Sequence, residues 1–194
     1  MDIFWCELPL RAAATLSHEA GRRLLEYAWR ERFGPAPLPP VKAAPGGKPR
    51  FPAGTGLHFS ISHSGPIAAC AFGTAEAGLD LEEIGEGHPL LEDMFAPEER
   101  LWLAGGGPER FYALFTGKES LVKLTGEGIA ALRELPALLD RSGKPLPAPG
   151  GAAVLPLELW LPRCAGALSL WSPEPVSSRP VAFDALFPDR WKQV

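Results

Sequence analysis

The sequence predicts an α+β fold built from two similar α/β halves. Three observations support this prediction. Strand-like runs occupy 57–64, 67–73 and 77–85. Runs with helical periodicity occupy 16–34 and 107–129. Strand-like runs then return in the C-terminal third, and this order of strands, helices and strands is typical of α+β domains.

We expect the two halves to meet near residue 80. The N-terminal half is predicted at 1–79 and the C-terminal half at 80–194. The repeat is not visible as sequence identity between the halves. It is therefore an expectation from the order of the elements alone.

Composition excludes several classes of protein. The chain has 194 residues, of which 46% are hydrophobic and 22% charged, an ordinary globular balance. The net charge of −4 does not suit a general nucleic-acid binder. The three scattered cysteines indicate a reducing cytoplasm rather than a disulfide framework. We expect neither a signal peptide nor a membrane span, because no suitable apolar run is present.

The N-terminal half predicts a strand, a helix and an irregular segment. The stretch IFWCELPL is apolar enough for a short strand. The helix is expected from Ser17, a suitable N-cap, to Gly34, a common helix stop. Its buried stripe is expected to contain Leu24, Leu25, Ala28 and Trp29. The segment 34–56 is rich in proline and glycine and is expected to lack regular structure.

The rest of the chain predicts turns, a second short helix and further strands. Gly65 and Pro66 predict a turn between two strands. A short helix with Pro97 near its start is expected before the run 107–129. The last strands are expected in the stretches LELWL, ALSLW and VAFDALF.

Asp80 and Glu82 are the first candidate site residues. Alternate residues of a strand point to the same face, so the stretch LDLE places the two carboxylates side by side. Adjacent negative charges repel unless a cation lies between them, and removing Asp80 is then expected to stabilise the metal-free protein. Oxygen ligands of this kind suit Mg²⁺. The alternative is a half-buried strand with a solvated acidic face.

Glu119 lies on the apolar side of the predicted helix at 107–129. Phe111 and Phe115 precede it by eight and four residues, so the three share nearly one helical face. A carboxylate there needs a cation, because burying an unpaired charge costs much free energy. Lys123, one turn later, is one candidate partner.

A functional role for Glu119 is the alternative to that pairing. Glu119 would then be a metal ligand or a general base that faces Asp80 and Glu82 across a cleft. Lys118 and Lys123 would face phosphate groups that arrive with the metal.

The stretch FSISHSG contains a third candidate site. Ser62 and His63 are neighbours on a predicted strand, so their side chains point to opposite faces and cannot form a simple hydrolase dyad. A serine and a histidine at a strand end before Gly65 could instead bind an anion. The alternative is that His63 is a structural residue.

Three stretches occur in a fixed order along the chain: HFSISHSG, GLDLEEI and FYALFTGKESLVKLTGEGI. Together they resemble the signature motifs of the 4′-phosphopantetheinyl transferases, and the upstream GGKPRF resembles a further element of that family. The resemblance covers residues 46–129, and the length is similar to that of the surfactin-synthetase-activating class. It implies a monomer of two similar halves, with the active site in the cleft between them.

The resemblance also implies roles for individual residues. The N-terminal half would contact the nucleotide phosphates, and the C-terminal half would hold the metal and the catalytic groups. The implied ligands of Mg²⁺ on the pyrophosphate of coenzyme A are Asp80, Glu82 and Glu119. Glu119 would also accept the proton of the attacking serine, and Lys123 would stabilise the leaving group. The implied phosphate contacts are Lys48, Ser62, His63, Lys118 and Arg22.

The implied reaction transfers the 4′-phosphopantetheine arm of coenzyme A to a serine of an apo acyl or peptidyl carrier protein, and it releases adenosine 3′,5′-bisphosphate. No nucleic acid or membrane partner is expected. Two alternatives remain open: a module that binds coenzyme A or a carrier protein without turnover, and a carboxylate-metal hydrolase of nucleotides. The chain departs from the family at Phe115, where a tryptophan is usual, so packing beside this helix is expected to differ. The short segment before the first helix leaves the adenine contacts open.

Overall fold

The computed structural model describes residues 1–44, 47–86, 94–157 and 163–189. The strands are β1 (Asp2–Glu7), β2 (Lys42–Ala43), β3 (Pro49–Arg50), β4 (His58–Ser64), β5 (Ile67–Gly73), β6 (Ala77–Glu83), β7 (Ala153–Pro156), β8 (Cys164–Leu170) and β9 (Ser177–Pro180). The helices are α1 (Leu10–Phe33), α2 (Pro97–Ala104), α3 (Pro108–Thr125) and α4 (Phe183–Leu186). The mixed α+β class predicted from the sequence is confirmed.

Two main sheets organise the strands. The first has the order β4-β5-β1-β9, and the second has the order β6-β8-β7. All neighbours are antiparallel except β9, which runs parallel to β1. Both sheets contain the same connectivity of strand, long helix and two strands, with the last strand in the centre: β1-α1-β4-β5 and β6-α3-β7-β8.

The sheets stack face to face between the two long helices. Helix α1 packs on the outer face of the first sheet, where Leu24 and Phe72 are buried. Helix α3 packs on the outer face of the second sheet. Between the sheets lies an apolar layer that includes Ile3, Ala69 and Leu168. The chain therefore forms four layers in the order helix, sheet, sheet, helix.

Helix α1 begins earlier than predicted. It starts at Leu10, directly after Pro9, so Ser17 lies inside the helix and is not its N-cap. The additional first turns bury Ala12 and Leu16, which continue the apolar face towards the N-terminus. The fixed φ angle of Pro9 and the alanine-rich sequence favour this earlier start. The predicted stop at Gly34 and the predicted buried stripe are confirmed.

Two further expectations are corrected. The stretch VAFDALF does not form a strand, because its centre is helix α4. The ring of Phe183 stacks at 4.9 Å on that of Phe187, the residue directly after the helix. The proline-rich segment 34–56 contains a short hairpin of β2 and β3. The ALSLW strand is confirmed as part of β8, whereas residues 158–161 of LELWL lie outside the described residues.

The division of the chain at residue 80 stays a prediction. Residue 80 lies inside β6, and β9 from the C-terminal part pairs with β1 of the first sheet. Within the described ranges, no helix is both long enough and apolar enough to cross a membrane.

Candidate active site between β6 and α3

Strands β4 and β6 meet side by side at edges of the two sheets. An edge strand leaves alternate backbone N–H groups without strand partners. Serine hydroxyls of β4 accept these hydrogen bonds: Leu79 to Ser60 at 2.9 Å, Leu81 to Ser62 at 3.2 Å, and Glu83 to Ser64 at 3.0 Å. We call these three residues the serine row. Because the serine row lies against β6, Ser60 and Ser62 are buried although they form the polar side of β4.

Asp80 is buried where β6 faces α3. Its Oδ1 atom accepts hydrogen bonds from the Ser62 hydroxyl at 2.9 Å and from the Lys123 ammonium group at 2.5 Å. Its Oδ2 atom is buried and has no hydrogen-bond partner among the described residues. Burial raises the pKa of Asp80, although Lys123 and Ser62 oppose this effect. The expectation of a solvated acidic face therefore does not apply to Asp80.

Glu82 lies two residues further along the same strand and is half-buried. The Ser64 hydroxyl donates a hydrogen bond of 2.6 Å to its Oε2 atom. Ser62 and Ser64 therefore contact Asp80 and Glu82 in the same manner, each serine with the carboxylate 18 positions later in the chain.

Gly78 allows α3 to approach β6 closely. A Cβ atom at this position would lie 1.9 Å from the carbonyl oxygen of Ser120 and 2.4 Å from the backbone nitrogen of Leu124. Any larger residue would push the helix away from the strand. The close approach brings the side chains of α3 within reach of Asp80.

Glu119 extends from α3 into a cavity of about 260 Å³. The cavity is also lined by Lys123, Ile61 and Ile129. Burial raises the pKa of Glu119 to about 7, and the negative charge of Asp80 adds to the effect, while Lys123 opposes it. The carboxyl group is therefore poised to exchange a proton near neutral pH.

Lys123 pairs with Asp80 rather than with Glu119. Its ammonium group also donates a hydrogen bond of 3.0 Å to Ser62. The side chain remains 31% exposed. The alternative that Lys123 serves Glu119 as a helical partner is therefore not the arrangement found, although its positive charge still acts on the pKa of Glu119.

Lys118 does not lie with these residues. It forms an ion pair of 2.9 Å with Glu99 of α2, and both side chains are fully buried. Glu99 also accepts backbone hydrogen bonds from Ala96 at 2.8 Å and Leu138 at 2.7 Å. This closed pair joins α2, α3 and the segment around Leu138.

Lys48 is engaged in a second charged cluster. Its ammonium group contacts Glu76 at 2.5 Å and the carbonyl oxygens of Ala77 and Leu124. Arg50 and His58 contact the same Glu76 carboxylate at 2.7 and 2.9 Å. Burial alone would raise the pKa of Glu76, but the surrounding cations lower it. Lys48 therefore ties the start of β6 to the end of α3.

His63 and Arg22 lie towards helix α1. His63 is exposed, and its ring lies 5.7 Å from that of His18. Arg22 follows His18 by one helical turn and pairs with Glu26 at 2.5 Å. Although His63 is largely exposed, partial removal of its ring from water lowers its pKa, and the positive charges of His18 and Lys123 act in the same direction. Cationic groups therefore act on His63 at this end of β4, while the carboxylate of Glu82 contacts the neighbouring Ser64.

Several residues of these arrangements were not identified from the sequence, among them Ser60 and Ser64 of the serine row. Glu76, Glu99 and His18 each gave only a weak signal, since isolated charged residues on helices and in loops are common. The glycine two positions before Asp80 was the most informative signal, because a glycine inside a strand often marks a close backbone approach.

The carboxylates are near one another without forming a preformed metal site. Among the described residues, no group of three histidine, cysteine, aspartate or glutamate side chains is arranged to hold a metal ion. Larger cavities lie elsewhere. One of about 430 Å³ on the opposite face of α3 has no ionisable residue in its lining. The smaller cavity beside Glu119 is the better candidate site, because it holds the perturbed carboxyl group.

Comparisons with known proteins identify a family that part of this chain matches. Residues 76–153 match the model of the 4′-phosphopantetheinyl transferase superfamily. This segment contains β6 and α3, and therefore Asp80, Glu82, Glu119 and Lys123.

Individual relatives match over longer or shorter stretches. A 4′-phosphopantetheinyl transferase of Bacillus subtilis is 36% identical over 89 residues, which are 43% of this chain and 40% of the relative. The transferase AcpT of Salmonella typhi is 36% identical over 115 residues, 55% of this chain and 57% of the relative. HetI of Nostoc is 38% identical over 101 residues, 46% of this chain and 42% of the relative.

The matched part of the chain thus spans about half the length of these relatives. The motifs that suggested the family lie partly inside the matched segment of 76–153 and partly just before it. The resemblance of this chain to the 4′-phosphopantetheinyl transferase superfamily is confirmed.

Proposed function

We propose that the protein transfers the 4′-phosphopantetheine arm of coenzyme A to a serine of an apo acyl or peptidyl carrier protein and releases adenosine 3′,5′-bisphosphate. One observation carries this proposal: the Oδ2 atom of Asp80, which has no hydrogen-bond partner in the described part of the chain, lies in the family-matched segment beside Lys123 and Glu119, whose pKa is raised to about 7. A carboxylate oxygen, a proton acceptor and a cation are the groups that phosphoryl transfer requires.

The donor set fits Mg²⁺. A buried carboxylate oxygen without a hydrogen-bond partner is costly unless a cation reaches it. Asp80, Glu82 and Glu119 would hold the ion, which favours oxygen ligands. When bound, it would neutralise the charge of the pyrophosphate and polarise the phosphorus that is attacked.

Glu119 is the proposed general base. The serine oxygen of the carrier protein attacks phosphorus while its proton passes to the Glu119 carboxylate. The bond from phosphorus to the bridging oxygen of the departing adenosine 3′,5′-bisphosphate then breaks. A pKa of about 7 suits this role, because a base is most effective when its pKa lies near the working pH.

Lys123 is the proposed cation for the leaving group. Its ammonium group contacts Asp80 and Ser62 and is partly exposed to the cavity, so one of its three protons can be donated to a phosphate oxygen. Hydrogen bonds from a charged donor to an anion are stronger than neutral ones. Lys123 would therefore stabilise the negative charge that develops on the departing phosphate.

We place the 3′-phosphate of coenzyme A at the end of β4, near His63. The ring of His18, 5.7 Å from that of His63, and the positive charge of Lys123 support the assignment. A bound phosphate would raise the pKa of His63 by reversing the effect of its cationic neighbours.

Three of the expected phosphate contacts receive structural roles in this proposal. Lys48, Ser62 and Lys118 each have their polar atoms engaged by other groups of the protein. We propose that they position the strands and the helix of the site and do not bind phosphate directly.

The wider expectations remain proposals as well. The shared connectivity of the two sheets supports the arrangement of two similar halves with the site between them. We also propose that the protein is a monomer and works in the cytoplasm. Its carrier proteins would belong to fatty-acid, polyketide or peptide synthesis.

A direct assay tests the proposal. The protein is mixed with coenzyme A, Mg²⁺ and several apo carrier proteins, and the carriers are weighed by mass spectrometry. The proposal predicts a mass gain of one phosphopantetheine group on the carrier serine, which disappears with EDTA. Replacing coenzyme A with its 3′-dephospho form should lower kcat/KM about 10-fold or more, if one charge-assisted hydrogen bond is lost.

The alternatives give different results in the same assay. Binding of coenzyme A without modification of any carrier would favour a non-catalytic binding module. Release of free phosphopantetheine in the absence of a carrier would favour a nucleotide hydrolase. Either result would contradict the proposed transfer.

A further inference from the structure

The hydroxyl groups of the serine row make two kinds of hydrogen bond. All three hydroxyls accept a backbone N–H group of β6, at distances of 2.9 to 3.2 Å. Among the described residues, only two of these hydroxyls also contact a carboxylate. Ser62 donates to Asp80 and Ser64 donates to Glu82, whereas the corresponding residue for Ser60 is Gly78, which has no side chain.

The second kind of hydrogen bond fixes the rotation of each carboxylate. A serine hydroxyl has one proton to donate and two lone pairs that accept. In Ser64 the lone pairs receive the N–H group of Glu83, so the proton is directed to the Oε2 atom of Glu82. One oxygen of Glu82 is thereby held against β4. The same geometry at Ser62 holds Oδ1 of Asp80 and leaves Oδ2 for another ligand.

We infer that Ser64 is a positioning residue for Glu82, and that it sets the affinity of this edge of β6 for a divalent cation. The inference deepens the proposed function and rests on it for the identity of the cation. Side chains that orient metal ligands by hydrogen bonds typically change metal affinity about 10- to 100-fold when they are lost. Ser64 is more suitable for a test than Ser62, because Ser62 is also bound by Lys123.

The chain offers a matched control for this inference. Ser60 accepts the same kind of backbone hydrogen bond as Ser64, one at 2.9 Å and the other at 3.0 Å, but it contacts no carboxylate of the residues that the structure describes. Removing the Ser60 hydroxyl therefore weakens the contact between the two sheets without releasing a carboxylate. An effect of Ser64 on the cation that Ser60 does not share cannot come from the contact between the sheets alone.

The test measures Mn²⁺ binding to the full chain by electron paramagnetic resonance, without coenzyme A or carrier. Mn²⁺ prefers oxygen ligands, as Mg²⁺ does. The variants are Ser64→Val, Ser64→Thr and Ser60→Ala. Valine and threonine have the same shape and suit a strand, but only threonine keeps the hydroxyl. We expect Kd to rise about 10-fold in Ser64→Val and to stay within about twofold of the wild-type value in Ser64→Thr and Ser60→Ala.

Three outcomes overturn the inference. They are wild-type affinity in Ser64→Val, an equal loss in Ser60→Ala, and the absence of any Mn²⁺ binding to the wild-type protein. Thermal unfolding of each variant shows that the compared proteins are folded, and Ser64→Ala, which also lacks the hydroxyl, replaces the valine variant with the same expected rise in Kd if the valine variant does not fold.

The transfer assay on the wild-type protein separates this inference from the proposed function. Mn²⁺ binding that depends on Ser64, in a protein that modifies no carrier, would contradict the transferase and leave the positioning role intact. Transfer activity together with unchanged Mn²⁺ affinity in Ser64→Val would contradict the positioning role alone.

Discussion

The two faces of helix α3 hold charged pairs that differ in one respect. Lys118 and Glu99 form a closed pair, in which the side chains are 1% and 0% exposed and both carboxylate oxygens have hydrogen-bond partners. Lys123 and Asp80 form an open pair, in which the lysine is 31% exposed and one carboxylate oxygen has no partner among the described residues. The pairs contain the same chemical groups, so the difference lies in their surroundings.

The difference separates a structural ion pair from a candidate active site. In the closed pair Lys118 neutralises the charge of Glu99, and protein groups donate hydrogen bonds to both carboxylate oxygens. The pair therefore requires no external ligand. In the open pair the protein leaves an unsatisfied oxygen beside Glu119, a carboxyl group with a pKa raised to about 7. Burial with incomplete compensation is typical of functional sites. Lys118 and Glu119 are neighbours in the chain and nevertheless belong to different kinds of site.

The largest effect is expected from breaking the closed pair. Glu99→Ala leaves the buried Lys118 charge without a partner and removes the acceptor of the Leu138 N–H group. The free energy of unfolding should fall by about 3–5 kcal/mol. Urea denaturation followed by circular dichroism measures this change.

A double variant is the control for this prediction. Adding Lys118→Met to Glu99→Ala removes the unpaired charge, so part of the lost stability should return. Single and double variants of equal stability would mean that the charge pair itself contributes little.

The second prediction concerns the open side of the helix. Glu119→Gln keeps the shape of the side chain but cannot accept a proton, so the rate of carrier modification should fall about 10²- to 10⁴-fold. The measurement is kcat at several concentrations of Mg²⁺. If Glu119 acts mainly as a base, activity stays low at saturating Mg²⁺, and if it acts mainly as a ligand, added Mg²⁺ restores much of it.

Glu127→Gln is the matched control, because Glu127 is an exposed carboxylate just after the same helix. It should retain wild-type activity. Unchanged turnover in Glu119→Gln would contradict both proposed roles of Glu119.

The third prediction compares carboxylate removal in the two pairs. Asp80→Ala takes the acceptor from Lys123 and Ser62, so the free energy of unfolding should fall by about 1–3 kcal/mol. This loss is smaller than that of Glu99→Ala, because the partly exposed Lys123 can regain water. It is also opposite in sign to the gain expected from charge repulsion with Glu82 alone.

Urea denaturation in the presence of EDTA measures the effect of Asp80→Ala. A more stable Asp80→Ala protein would show that repulsion between the two carboxylates outweighs the pair with Lys123. The pair of Lys123 and Asp80 would then not stabilise the fold, and the comparison with the closed pair would fail.

The smallest expected effect is a dependence of stability on pH. The pKa of Glu119 is about 7 in the folded protein and 4.5 as its ordinary value. A raised carboxyl pKa contributes stability that is present below pH 4.5 and lost as the pH rises to about 7. Glu119→Gln should therefore gain about 2–4 °C in Tm over the wild-type protein between pH 4.5 and 7.5, after allowance for solvent screening.

Thermal unfolding in EDTA across this pH range checks the prediction, with Glu127→Gln as the control that should follow the wild-type curve. A constant difference in Tm at all pH values would mean that the carboxyl group of Glu119 does not titrate in this range.

The sequence by itself determined most of the elements. Alternation of apolar and polar residues correctly placed β4 and β6, and the glycine at 34 ends the first long helix as expected. The second long helix ends at Thr125, before the predicted end of the run at 129. Asp80 and Glu82 lie on the same strand face, which follows from the period of two. These features depend on neighbours in the chain, so the local pattern contains the necessary information.

Only the tertiary structure decided which partner each charged residue has. Helical spacing could not tell that Lys118 is buried against Glu99, because that contact depends on the position of α2. Helical spacing also offered Glu119 as one candidate partner of Lys123, whereas the close approach of α3 to β6 at Gly78 brings Asp80 within reach instead. The serine row was invisible for the same reason, since its hydrogen bonds join two sheets across 19 positions of the chain. A periodic pattern fixes the face of an element on which a side chain lies, but the packing of elements fixes what that face meets.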